Sequence, residues 1–554
     1  MTHTPMDFKR QNRHRIIALW ILCLFGLCLS YATTAPKKRA KSDERIYLNH
    51  ADELRFDQFG TNPGAQIVKG RVSFRHDGST LTCDSAYFYQ ASNSVEAFGH
   101  VRFHQADTLS LTCDYASYDG MEQMLEARRN VVLKHRKQTL YTDSLNYDRL
   151  YGNAYFFEGG TLVDGKDRLV SDWGTYNTET RLAEFYYHVR MRSGKDHIDT
   201  DTLYYDTRRQ VAHIVGPSTI HSKASTVKTT DGYYDSRADQ ARLFSRSTIA
   251  DGQKTITGDT LFYVKDGNSQ GFGNVIYVDH ENKNTLHCGY LQYNEATGYG
   301  LATKRALAMD YSQGDTLFVH ADTMKIQTFN INTDSVYRKV HAFPHMRAFR
   351  TDIQAVCDSM VFSSLDSCMT MYRDPIVWNG GRQLLGEVIK IYMNDSTVRQ
   401  ADVVGQALSV ELMPDSTHYN QIASTEMRTY FNGGKVRMSE AFGNVQTVYF
   451  PISDRDSSLI GLNYTETDTL RMYMSPERKL ERIWMPKAQG TLYPMTQIPP
   501  EKRQLPTFAW FDYVRPLDKD DVFKWRGKAQ GSELKKIVRH SAPLQQLNSR
   551  KSTP

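Results

Sequence analysis

The side chains of this sequence best suited to acid or base chemistry are its aspartates, and they arrive at near-regular intervals. Asp84, Asp114, Asp143, Asp172 and Asp201 stand 29 or 30 residues apart. The series extends in both directions as Asp52, Thr230, Asp259, Gly289, Asp322, Asp358, Glu387, Glu426 and Asp468. Acid–base catalysis needs carboxylates that converge on one substrate atom. One carboxylate per repeat cannot converge, so the recurrent aspartate reads as a turn or corner residue. The other candidates are weaker. His341 and His345 would suit a metal on a helix, but on a strand that spacing places them about 13 Å apart. Asp107-Thr-Leu, Asp201-Thr-Leu and Asp315-Thr-Leu repeat a structural pattern and form no nucleophile motif. The sequence has no CxxC pair and no zinc-ligand spacing, so no catalytic residue, metal ligand or cofactor is assigned and the protein is read as a non-enzyme.

Around each aspartate lies a nine-residue block, seen as Leu81-Thr-Cys-Asp-Ser-Ala-Tyr-Phe-Tyr89, Leu111-Thr-Cys-Asp-Tyr-Ala-Ser-Tyr-Asp119 and Ile198-Asp-Thr-Asp-Thr-Leu-Tyr-Tyr-Asp206. Nine successive repeats carry an aromatic four places after the anchor: Phe56, Phe88, Tyr118, Tyr147, Tyr176, Tyr205, Tyr234, Tyr263 and Tyr293. The residue before each anchor is small throughout, as a tightly stacked layer requires. Cys83, Cys113, Cys288 and Cys357 occupy this slot, so packing is their expected role, with Cys368 outside it. An exported compartment would permit a Cys83–Cys113 disulfide, although stacked positions lie at or beyond its reach.

A second block follows about 15 residues later: Val68-Lys-Gly-Arg-Val72, Ala97-Phe-Gly-His-Val101, Ala127-Arg-Arg-Asn-Val131, Gly271-Phe-Gly-Asn-Val275 and Ala441-Phe-Gly-Asn-Val445. Its Gly-Asn or Gly-His pair reads as a turn or bulge entering a strand, making each repeat two short strands and two turns. The apolar residues three before the anchor differ in parity from those two and four after it. A straight strand would send these to opposite faces, so either both faces are buried or the strand bends at the anchor. A stack of bent strands is a two-sheet jelly roll. The fold class is therefore all-β: an elongated open β-jelly roll of about 14 two-strand repeats of ~29 residues.

Residues 1–32 have the form of a signal peptide, with Lys9, Arg10, Arg13 and Arg15, the apolar run 16–29 and cleavage after Ala32 or Ala35. That run is too short to span a membrane, and no other stretch is apolar enough to span one as a helix. Neither Cys23 nor Cys28 has the small residues of a lipid-attachment site before it. The expected location is the periplasm, with association at the outer membrane. A basic linker covers 33–45, regular repeats cover 46–300, and more irregular repeats cover 301–475, with a second lobe beginning near 300–320. Residues 476–554 are Pro-rich and basic, and Phe508-Ala-Trp-Phe-Asp-Tyr513 reads as a cap on the last rung in preference to a partner-binding tail. The formal charge of +6 comprises +3 in residues 1–32, +6 in 501–554 and −3 between, which argues against nucleic-acid binding by the repeats.

These paired blocks behind a leader resemble the OstA-like, LptA-class family of lipopolysaccharide-transport proteins, over roughly residues 46–475. The resemblance implies a jelly roll whose apolar interior carries the acyl chains of lipid A toward the outer membrane. It also implies inner- and outer-membrane jelly-roll partners, or further copies of itself, joined by edge-strand pairing. The chain has about twice the repeats of the short bridge proteins and lacks the C-terminal barrel of the outer-membrane member. The plus-four aromatics above and Val72, Val101, Val131 and Val275 are the candidates for the lipid-facing interior. A solid-cored structural or adhesive repeat protein is the alternative. An enzymatic β-helix is disfavoured by the long rungs and dispersed acids.

Overall fold

The computed structural model describes residues 45–529, apart from 57, 223–224, 265–266, 313, 332, 395–396, 454, 457 and 478–479. The leader and its cleavage sites lie outside the described residues. The fold is all-β, with antiparallel pairing between successive strands and no α-helix among the described residues. The chain divides into two compact units. The first runs to Arg136 and includes Tyr141–Tyr155, and the second comprises Lys137–Leu140 and everything from Phe156 onward. The lengthening of the repeats near residue 300 coincides with no such division.

In the first unit, strands Tyr47–His50 and Glu53–Phe56 both pair with Gln66–His76. Ser79–Tyr89, Ser94–Gln105, Leu109–Asp119 and Met124–His135 then follow in antiparallel succession. The expectation of two short strands and two turns per repeat is corrected here. From Gln66 to Asp148 each repeat is two long strands, and the anchor and the Gly-His type pair lie at their middles, where the register slips. Gly70 and Arg71 face the single residue Asp84, and Gly99 and His100 face Asp114. Two residues opposite one make a β-bulge, which bends the strand and sharpens its twist.

Both bulge residues adopt left-handed backbone: φ is +74° at Gly99 and +43° at His100, +66° at Arg129 and +50° at Asn130. The anchor of the preceding rung then accepts a hydrogen bond from the second of them. His100 Nδ1 lies 2.7 Å from Asp84 Oδ2, and Asn130 Nδ2 donates to Asp114 at 2.7 Å. Asp172 with His188, Asp259 with Asn274 and Asp322 with His345 repeat the contact in the second unit. Glycine before the second residue leaves room for the carboxylate. A Cβ on Gly273 would stand 2.6 Å from Asp259 Oδ2.

The bend accounts for the parity change read from the sequence. Leu81 and Cys83 point inward before the corner, Ala86 and Phe88 after it, and Asp84 is exposed between them. Each strand thus contributes to two walls, a leading wall carrying the residue before the anchor and a trailing wall carrying the plus-two and plus-four residues. The walls face one another. Phe74 of one meets Phe88 of the other at 5.4 Å between ring centroids, and Phe103 meets Tyr118 at 6.1 Å. In the second unit the corner interrupts some strands outright, as between Asp167–Ser171 and Trp173–Asn177, which both pair with Leu182–Ser193.

All five described cysteines are free thiols and buried. Burial pushes Cys83, Cys113 and Cys357 up to about 12 and Cys288 up to about 11. They are packing residues of the corner layer.

Residues 495–529 add a third layer to the second unit, where the expected cap on the last rung is replaced by a strap running back over several rungs. The leading wall there is apolar on both faces. Ala355, Cys357 and Val377 point inward, while Val356, Ile376, Trp378, Leu408 and Val410 point outward beneath Leu505, Phe511 and Val514 of the strap. Buried glutamines hold its backbone. Gln421 accepts from Leu505 N–H at 2.8 Å and donates to the Arg503 carbonyl at 2.9 Å. Gln383 accepts from Phe511 N–H at 2.8 Å and donates to the Ala509 carbonyl at 2.9 Å. Gln354 accepts from Arg515 Nε at 2.8 Å, and Arg347 Nε donates to the Val522 carbonyl. An amide that binds the carbonyl of one residue and the N–H two further on reads the strap as a neighbouring strand would.

Two measurements test this architecture. Alkylation at about pH 8 should leave these cysteines unmodified in the native protein and label them only after unfolding, because a raised thiol stays protonated and unreactive. Gln383→Leu should keep the side chain's bulk but orphan two strap backbone groups, costing about 2–4 kcal/mol. Limited proteolysis should then cut first within residues 505–515 while the repeat strands resist.

Candidate functional site

In the first unit from residue 66 onward, and separately in the second unit up to about residue 243, the space between the walls is sealed. The corner side is filled by Val72, Val101 and Val131, each 1% exposed. The opposite side is closed by the plus-four tyrosines, whose hydroxyls reach across to the leading wall. In the first unit the Tyr118 hydroxyl lies 2.6 Å from His76 Nδ1 and accepts from Arg149 Nη1 at 2.7 Å. Tyr147 donates to Gln105 at 3.1 Å. In the second unit Tyr205 donates to Asp167 at 2.7 Å and to Asp164 at 3.2 Å, while Ser236 donates to Asp167 at 2.6 Å. Tyr234 donates to Asp196 at 3.0 Å.

Burial, with these carboxylates beside them, holds the Tyr205 and Tyr234 phenols well above their ordinary range, so they act as donors. The cavity left between Phe74, Leu81, Phe103 and Tyr118 measures only about 10 Å³. An acyl chain has no room there.

The interior opens from strand Ser247–Asp251 onward. Next to the corner the inward residues remain buried and are mostly small: Val275, Cys288, Ala302, Ala306, Ala321 and Ala342. Further from the corner, Ile256, Leu286, Leu291, Ala308, Leu317 and Val319 are only half-buried against that floor. Tyr263 and Tyr293 are 38% and 44% exposed, whereas Tyr205 is 0% exposed. The same slot that seals the earlier rungs stands at the lip of an apolar groove.

The groove continues toward Met472. Ile353, Phe362, Met369, Leu384, Ile391 and Ile422 are half-buried above a floor that includes Met346, Met360, Met371, Ile389, Val403 and Met427. Methionine is unbranched and polarisable, so this floor adapts to apolar ligands of varied shape. A run of half-exposed apolar side chains over so many rungs is a candidate binding surface.

The sequence candidates therefore fall into three groups. Phe88, Tyr118, Tyr147, Tyr176, Tyr205, Tyr234, Val72, Val101 and Val131 lie in the sealed interior. Val275 lies on the groove floor, with Tyr263 and Tyr293 at its lip. Phe56 is on neither surface, being 58% exposed on strand Glu53–Phe56 at the start of the fold. The residues that sequence reasoning missed are the minus-three and plus-two residues of the later rungs, Leu286, Val319 and Leu291 among them. The available signal was the loss of large residues at one slot beside the corner, where Gly271, Ala302 and Ala342 follow Phe156, Phe185, Ile214 and Leu243.

His341 and His345 do not meet. His341 stacks on Phe343 with centroids 4.2 Å apart, while His345 is bonded to Asp322 and lies 4.6 Å from Trp525. A cleft of about 660 Å³ lined by His341, Phe343, Asp358, Tyr372, Arg373 and Glu387 sits outside the groove, because the alternate residues Ala342, Met360 and Met371 point inward.

The two halves of this contrast differ in what one hydroxyl does. Tyr205→Phe should cost about 1–3 kcal/mol by leaving buried Asp164 and Asp167 short of a donor. Tyr293→Phe should stay within ~0.5 kcal/mol. Thermal or denaturant unfolding of the two variants measures the difference.

No curated protein matches the chain. The match with a known family falls on residues 43–201, within the sealed rungs and short of the groove. That family is described as OstA-like protein, and over this stretch the chain is similar to it.

Proposed function

We propose that this chain is an exported lipid carrier that takes the acyl chains of lipopolysaccharide into the groove between residues 247 and 474. The observation that carries the reading is the row of half-buried apolar side chains, from Ile256 through Leu286, Leu291, Leu317 and Ile391 to Met472, above a floor of alanine and methionine. Burial of a chain there is worth about 0.8 kcal/mol per methylene. Because adjacent rungs offer similar apolar surface, a chain moving along them meets no single deep trap. The OstA-like match and the leader-like residues 1–32 support export toward the outer membrane as the setting.

Each end of the strand series supports docking by strand addition. Tyr47–His50 and Glu53–Phe56 are short and exposed, as are Leu480–Trp484 and Gln489–Pro494. Such edges present unpaired backbone groups to a partner strand. The partners in this reading are jelly-roll proteins of the inner- and outer-membrane transport machinery or a second copy of the chain. The sealed rungs near the first end would then act as a stiff stem and the later rungs as the carrier.

Photoreactive residues placed at Leu286, Leu291 and Ile391 in cells should give lipopolysaccharide adducts, and one at exposed Arg208 should give none. A folded, exported protein without adducts at any of the three groove positions would overturn the carrier reading in favour of a structural repeat protein.

A further inference from the structure

Several histidines elsewhere in the repeats are committed to partners within the fold. His100, His188 and His345 bind corner aspartates, His76 meets Tyr118, and His320 is bonded to the Ala306 carbonyl at 2.7 Å. His197 and His221 stand apart from these. They are directly opposite one another in the register of strands Asp196–Asp206 and Val211–Ser222. Their rings stack with centroids 4.7 Å apart and an interplanar angle of 21°. Asp199, two residues along from His197, shares its face of the strand. The face points outward, because Ile198 and Ile220 on the opposite side are buried at 1% and 4% exposure.

We propose that His197, Asp199 and His221 form a site for a divalent transition-metal ion of the zinc class. Their ligand atoms all lie within 4.8 Å of one another. Ligands of a tetrahedral zinc ion stand ~3.3 Å apart, so small rotations of exposed side chains close the set. Each group has an atom to give. His221 Nδ1 is 3.4 Å from Thr226 Oγ1, which leaves Nε2. Arg190 Nε makes an ion pair with Asp199 Oδ1 at 3.8 Å, longer than a hydrogen bond, so a metal ion competes with an exposed guanidinium for this carboxylate.

Two imidazoles and one carboxylate with solvent in the remaining positions is a donor set that holds zinc, iron, nickel or copper in preference to magnesium or calcium. Arg190 and Arg192 pair in register with Asp199 and His197 and disfavour a bare cation, so the open position suits hydroxide or another anion. The bound ion would staple two neighbouring rungs of the leading wall. This inference is independent of the lipid reading, since the site lies on the outer face of a sealed segment.

The experiment is a zinc titration of the metal-stripped full chain by calorimetry at about pH 8, where imidazole is in its neutral, metal-binding form. The parent should bind one ion that H197A or H221A weakens by about tenfold or more, that D199N also weakens, and that H100A leaves unchanged. Zinc should raise the unfolding temperature of the parent and not of H221A, while the metal-free proteins unfold alike, as expected of exposed positions. Absence of zinc binding by the parent, or equal binding by the H197A/H221A double variant, would overturn the proposal and leave a stacked histidine pair with no ligand.

Discussion

The fold depends on the corner, where two consecutive left-handed residues on one strand face a single anchor residue on the next. The extra residue reverses the inward parity, so Leu81 and Cys83 before the bend and Ala86 and Phe88 after it all reach one interior. Without that reversal every second wall would turn its apolar residues to solvent. The carboxylate contacts that dress the corner, such as Asp84 with His100, are exposed and individually weak. Their effect is geometric: they hold the side chain of the second left-handed residue over the bend, rung after rung.

Once the walls are made to face each other, their separation decides what the interior can do. Where Phe103, Phe156 and Phe185 fill the space and tyrosine hydroxyls bridge to the facing wall, the interior is closed to solvent like a protein core. Where alanine and methionine take the floor and the tyrosines stand at the lip, the walls keep an apolar surface that none of the described residues covers completely. One repeat pattern therefore yields both sealed rungs and a groove. The switch between them is side-chain volume, with no change in backbone plan.

The strap solves a separate problem. The leading wall of the later rungs is apolar on both faces, and its outer side must be shielded from water. Gln354, Gln383 and Gln421, at 3%, 0% and 1% exposure, satisfy the strap's backbone and their own amides together. Covering that outer face leaves the inner one as the apolar surface that the described residues do not fully cover.

Periodicity carried a great deal. The anchors at 84, 114, 143, 172 and 201, the small residue before each and the parity change around them were enough to read an all-β stack of bent strands and the inward direction of Tyr118, Tyr147 and Val101, because local backbone geometry and residue volume repeat together. The OstA-like character of residues 43–201 was legible for the same reason. Which rungs are sealed and which are open was not, since Tyr205 and Tyr263 occupy one slot in the pattern, and only a partner such as Asp167, 38 residues away, distinguishes them. Nor was the meeting of His197 with His221, which are 24 residues apart in the sequence and neighbours only through strand register. Short-range constraints are written into the spacing of residues, whereas contacts across walls and between rungs exist only once the chain has folded and each side chain's volume competes for the same space.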